Sequence, residues 1–342
     1  VAAVRRRTLF FLGLSGLAGC ARGRRRLYVY NWSDYVAEDT VPDFEKEFGI
    51  EVRYAVYESN EELLAKVFGG NSGWDVVFPS NYYIPPMREQ GLLLELDHAR
   101  LPNLANLALR EPPWDARLEV SVPYMLGAAG ILYDPKQTGF EPESWQALWD
   151  ARLRGRITML DDPADTIGAA LKKAGLPLNE TREGNLLQAR AELIAQKPLV
   201  RAYLNAEARD QVIAGDLAAA HLWATTSAQA IGSAERLKFV YPREGFAQYA
   251  DNAVILRESK NPEAAHAFVN YLLRAETGAA IAEFSRTATP NGAARELLPA
   301  EQREDEVLYP PPGVAAKGEF FATLPASAQR LRDRIWTEVK TA

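Results

Sequence analysis

Leu27-Tyr28-Val29-Tyr30 and, after one helical and one alternating segment, Trp74-Asp75-Val76-Val77-Phe78 bracket the stretch that decides the fold class. The first run reads as a short strand. Thr40 to Phe48 follows with helical periodicity and stops at Gly49, a residue that tolerates the left-handed conformation of a helix C-cap. Glu51 to Val56 alternates, with Val52, Tyr54 and Val56 on one face, and Ser59 followed by Glu62 is a capping-box pattern that opens a helix to Phe68. The apolar run ending at Phe78 closes a βαβαβ unit, so the chain is α/β with at least one open sheet.

The same alternation recurs downstream. Strands are expected at Arg156–Leu160, Leu199–Tyr203 and Ala218–Trp223, with a helix at Thr166–Ala174 ended by Gly175, and these imply a second α/β unit. Asn252–Leu256 reads as a further strand, followed by helices at Pro262–Leu273 and Glu276–Phe284. No internal repeat or long low-complexity linker separates the units, which points to halves that exchange chain segments.

The chain has 342 residues, 47% hydrophobic and 25% charged, enough for two domain-sized cores. A formal charge of -6 offers no basic footprint for nucleic acid. At the start, Arg5-Arg6-Arg7 precede the apolar run Leu9–Leu14 and small residues, the pattern of a signal peptide over residues 1–19. Its apolar part is too short to span a bilayer, which takes about 20 helical residues. Leu17-Ala18-Gly19-Cys20 resembles the lipobox of bacterial lipoproteins, so Cys20, the single cysteine, is expected to carry a lipid anchor in an extracytoplasmic protein.

In open α/β sheets ligands bind beyond the carboxyl ends of the strands. Here those ends carry Asn31-Trp32-Ser33-Asp34-Tyr35, Pro79-Ser80-Asn81-Tyr82-Tyr83, Asp161-Asp162-Pro163-Ala164-Asp165 and Trp223, and Tyr249-Ala250-Asp251 immediately precedes the Asn252 strand. Aromatic rings and carboxylates coincide there without a lysine or arginine. Aromatic faces attract ammonium groups by about 0.5 to 2 kcal/mol each, and carboxylates offset a charge that is costly to bury alone. The mixture suits an organic cation. Each residue taken singly also has a structural reading: Asp162 and Asp165 as caps of the Thr166 helix, Trp32, Trp223 and Tyr249 as core aromatics, Ser80 as a turn residue.

The mature chain is similar over nearly its whole length to the periplasmic spermidine/putrescine-binding proteins of ABC transporters. The resemblance rests on Tyr30-Asn31-Trp32-Ser33-Asp34-Tyr35, Tyr57-Glu58-Ser59-Asn60-Glu61, Asp75-Val76-Val77-Phe78-Pro79-Ser80, Val122-Pro123-Tyr124-Met125, Asn270-Tyr271-Leu272-Leu273-Arg274 and Trp336-Thr337-Glu338-Val339-Lys340. It implies a two-lobed periplasmic-binding-protein fold of type II, each lobe a central sheet flanked by helices, with the ligand cleft at the hinge. The lobes would comprise residues 20–126 with 252–294 and residues 127–251 with 295–342. It further implies that Trp32, Ser33, Tyr35, Ser80 and Tyr82 line the cleft from the first lobe, with Asp34 a candidate amine partner. From the second come the acidic pair Asp162 and Asp165, Trp223 and Tyr249 as walls, Asp251 as central carboxylate, and Phe321 where spermidine-type members present glutamine. Asp165 stands where the family has glutamate, and Thr226 where putrescine-type members carry an extra aspartate.

The partners so implied are a polyamine, the ABC permease subunits and, through Cys20, the membrane; the protein is expected to act as a monomer with no cofactor. A metal site is disfavoured, because His98, His221 and His266 are not at ligand spacing and Asp161–Asp165 is too sparse for an oxygen-only Ca²⁺ loop. A different small solute on the same fold, a surface sensor of polyamine, and a lipid-anchored hydrolase using Asp162 and Asp251 are the competing readings. The last has no G-x-S-x-G, H-E-x-x-H or phosphate-loop motif behind it.

Overall fold

The structure is a computed structural model that describes residues 25–342; the leader and Cys20 lie outside the described residues. The described residues form ten strands in chain order: β1 (Arg26–Trp32), β2 (Glu51–Tyr57), β3 (Val76–Val77), β4 (Val122–Tyr133), β5 (Ile157–Met159), β6 (Val200–Tyr203), β7 (Ala219–Trp223), β8 (Lys238–Val240), β9 (Phe246–Ile255) and β10 (Gly318–Phe320). In space they follow the order β2-β1-β3-β9-β4-β7-β5-β6, with β10 on β9 and β8 on β4. At one end β1 pairs in parallel with β2 and β3, and at the other β5 pairs in parallel with β6 and β7. Each end thus carries its own parallel sheet, and β4 and β9, antiparallel to each other, run through both.

Burial explains why the first strand is read so easily. Leu27 and Val29 enter a core with Phe44, Phe78 and Phe268, while Tyr30 enters one with Tyr57, Leu63 and Ile84, so both faces of β1 are covered. The second half is built around Ile131, Trp145, Ile157 and Phe246, with Leu160, Leu178, Leu222 and Phe321 in an adjacent cluster. Helix signals hold where the cap chemistry is local: Gly49 ends the Thr40–Phe48 helix at φ +65°, and Ser59 Oγ accepts from Glu62 N at 3.2 Å to open the Asn60–Val67 helix.

The departures from expectation have physical causes. β2 is the edge strand, so Val56 lies outside the core at 47% exposure and Tyr57 turns inward instead. The helix expected from Thr166 starts at Pro163 instead, because Asp162 caps it and proline is well suited to the first helical position. The Asn252 strand is the second half of the longer β9, which contains Tyr249, Ala250 and Asp251. Residues 292–303 pack on the Ala275–Ser285 helix, through Ala294 and Leu298 against Ala279 and Ala282 and a Gln302 Nε2 bond to Ala282 O at 2.5 Å. His98, His221 and His266 serve the scaffold: His98 meets Leu118 O, His266 Nε2 accepts from Asp97 N, and His221 packs edge-on against Trp145.

Candidate functional site

A cavity opens where the two halves meet, lined by Trp32, Tyr35, Asn60, Ser80, Tyr82, Asp162, Asp165, Trp223, Tyr249, Asp251 and Phe321. Trp32 and Trp223 end β1 and β7, Asp162 and Asp165 follow β5, and Ser80 and Tyr82 follow β3, so the parallel strands aim their carboxyl ends at one space. Tyr249 and Asp251 project from β9, two residues apart and so on the same face of the strand.

Asp251 is 2% exposed, and its two oxygens accept from Ser80 Oγ at 2.7 Å and Tyr35 Oη at 2.9 Å. Both donors are neutral, so they orient the carboxylate without cancelling its charge. Burial pushes its pKa up from 3.8 to about 6, against the lowering effect of the two hydroxyls. Asp165 is 4% exposed; one oxygen accepts from Trp223 Nε1 at 3.0 Å, while Oδ1 is buried without a partner. Asp162, half-buried, accepts from Asp165 N at 3.0 Å as the helix cap. Burial, then the charge of its neighbour Asp162, raises the pKa of Asp165 well above the usual range. Among the described residues no lysine or arginine lines the cavity, so nothing in that lining balances these acids.

The aromatic walls are fixed from behind. Trp32 Nε1 donates to Phe78 O at 2.9 Å, its ring lies 4.7 Å from that of Tyr57, and Tyr82 meets Phe321 at 5.3 Å. Gly127, opposite Tyr249 across β4 and β9, is required by this packing: a Cβ there would fall 2.1 Å from the tyrosine ring. Burial drives the hydroxyls of Tyr35, Tyr82 and Tyr249 well above the ordinary phenol pKa, so they remain neutral donors.

Ten of the twelve expected site residues line this one cavity, and two do not. Ser33 donates to Glu58, and Asp34 adopts a left-handed turn at φ +57°, so both face an outer depression that also holds Thr226. The depression shares Trp32, Tyr35, Trp223 and Tyr249 with the cavity and joins its mouth. Asn60 was not expected. Its amide donates to Ser80 Oγ at 3.0 Å and accepts from Ser80 N at 3.1 Å, so it holds the hydroxyl that holds Asp251. The signal for it was an asparagine placed directly after a capping serine, where a charged or apolar residue would serve the helix equally well.

A model of the family described as bacterial extracellular solute-binding protein matches residues 39–310. The chain is 32% identical over 341 residues to a putrescine/cadaverine-binding protein of Pseudomonas aeruginosa, covering 95% of this chain and 96% of that protein. It is 33% identical over 317 residues to the spermidine/putrescine-binding periplasmic protein of Escherichia coli, covering 90% and 89%. Among solved structures, the TpPotD lipoprotein of Treponema pallidum matches with a TM-score of 0.83 at 27% identity, covering 93% of this chain and 100% of that one. Among the described residues no helix is long and apolar enough to cross a membrane. The chain belongs to the bacterial extracellular solute-binding protein family, with the two-lobed α/β fold of type II periplasmic binding proteins.

Proposed function

We propose that this protein captures a polyamine, spermidine or putrescine or both, outside the cytoplasm and delivers it to the permease subunits of an ABC transporter. The observation that carries the reading is the cavity lining: three acids of which Asp165 and Asp251 are fully buried, aromatic walls, and no basic residue. An anion or a neutral sugar would leave those acids uncompensated, whereas a protonated amine chain neutralises them and lays its methylenes on the rings.

In this reading an ammonium sits against Asp251, held in register by Ser80 and Tyr35, and a second meets Asp162 and the free oxygen of Asp165. Trp32, Tyr82, Trp223, Tyr249 and Phe321 enclose the chain between them. Ser33 and Asp34 act from the outer depression, where a longer ligand would emerge. The lobes divide at 126/127 and 251/252 on β4 and β9; the return crossing is drawn after Arg303, not at 294/295, since residues 292–303 pack on the first lobe. Closure of the lobes over the cation produces the form the permease accepts, and no bond is broken. A signal peptide over residues 1–19 would direct export, and a lipid on Cys20, the first mature residue, would hold the monomer at the membrane, as expected of a lipoprotein.

Calorimetry of the soluble form beginning after Cys20, titrated with spermidine, putrescine, cadaverine, spermine, arginine and Ca²⁺, tests the assignment. One-to-one binding of a polyamine is expected. A folded protein silent to every amine would remove the ligand and leave the architecture.

A further inference from the structure

Residues 318–323 form a strap along the cavity that is built into the second lobe. β10 pairs with β9 at Phe246–Gln248, and Glu319 binds Lys172 and accepts from Leu178 N. Asn179 holds the strap backbone at Phe320 O and Ala322 N, each at 2.9 Å. The strap also crosses to the first lobe. Asn81 Nδ2 donates to Phe321 O at 2.6 Å, Thr323 Oγ1 donates to Tyr82 O at 2.7 Å, and Phe320 packs 5.4 Å from Trp114.

Asn81 is 1% exposed and does not line the cavity, yet it stands between the residues that do. Its Oδ1 accepts from Ala250 N at 3.1 Å, next to Asp251 on the strand that joins the lobes, while its amide reaches the strap of the second lobe. The residue before it, Ser80, donates to Asp251. A buried side chain serving a backbone N–H and a backbone C=O at once must be both acceptor and donor, which a short amide is and a carboxylate is not.

We propose that Asn81 is a positioning residue, a latch that fastens the strap of the second lobe to the first and keeps Ser80 and Asp251 in register when the cleft is shut. The latch bonds span the lobes, so they favour the closed form over the open one and must break before a ligand leaves. They therefore slow dissociation far more than they speed association. The inference rests on the two-lobed closure and not on which cation binds.

The test uses the soluble form after Cys20 with spin labels at Lys46→Cys and Leu187→Cys, one on each lobe. Inter-label distances are measured without ligand, and dissociation of putrescine or spermidine is followed by fluorescence of Trp32 and Trp223. Asn81→Ala should lengthen the ligand-free distances and speed dissociation about tenfold or more, with association within about threefold of the parent. Asn81→Asp keeps the acceptor for Ala250 but opposes a carboxylate to the Phe321 carbonyl, and should match the alanine variant. Thr323→Val, on the exposed end of the strap, should shift both readouts in the same direction by less. Parental distances and dissociation rates in Asn81→Ala and Thr323→Val would overturn the latch, as would a loss of melting temperature with distances unchanged. If the parent binds no amine, the ligand assignment fails and the distance measurement still decides the latch.

Discussion

Replacing Asp251 by asparagine preserves shape and hydrogen bonding while removing one buried charge, which makes it the sharpest probe of the site. Ser80 Oγ and Tyr35 Oη can each bond an amide as well as a carboxylate, because hydroxyls both donate and accept. What changes is the counter-charge. Two unit charges in contact at about 4 Å attract by about 4 kcal/mol at an effective dielectric of about 20. Stripping one partner from a buried pair costs about 3–5 kcal/mol, so polyamine affinity near neutral pH should fall by roughly two to three and a half orders of magnitude in calorimetry. Stability of the ligand-free protein should move the other way. The folded-state pKa of Asp251 is raised from 3.8 to about 6, so its proton favours the fold below the unfolded value and that contribution is lost as pH rises through about 6. At about 1.4 kcal/mol per pKa unit the neutral variant should gain up to about 3 kcal/mol over the parent at neutral pH, and nothing at pH values below the unfolded pKa. An affinity within about fivefold of the parent, with the parental pH profile of melting, would refute the reasoning.

Four further outcomes follow from the geometry. Polyamine affinity of the parent should rise as pH increases through about 6, because the bound cation must displace the proton Asp251 holds in the free site; calorimetry in buffers of different ionisation enthalpy should record proton release there, with a further contribution from Asp165, whose carboxyl burial and Asp162 also push up. Trp223→Phe keeps the aromatic wall but removes the Nε1 donor to Asp165, whose other oxygen already has no partner, and should weaken binding by about 1–2 kcal/mol in the same titration. Gly127→Ala drives a methyl into the Tyr249 ring and should cost about 1–3 kcal/mol of stability by denaturant unfolding, with a parallel loss of affinity. Thr226→Ala, in the outer depression, should leave putrescine affinity within about threefold of the parent.

Local periodicity and cap chemistry determined much of this protein. The covered strand at Leu27, the Gly49 stop, the Ser59 cap and the acid and aromatic residues at strand ends all depend on neighbours a few positions away, and all can be read in order along the chain. Tertiary structure decided which of those ends share a cavity. Tyr249 and Asp251 look like loop residues before a strand, yet they lie within β9 because β4 supplies a long antiparallel partner across the hinge. Ser33 and Asp34 turn away from the cavity through one left-handed residue, whereas Asn60 enters it by bonding Ser80. Phe321 and Asn81 meet across 240 positions of sequence. Hydrophobic alternation reports which face of an element is buried, but the register between elements is set by pairing and packing over distances in sequence where no local pattern carries information.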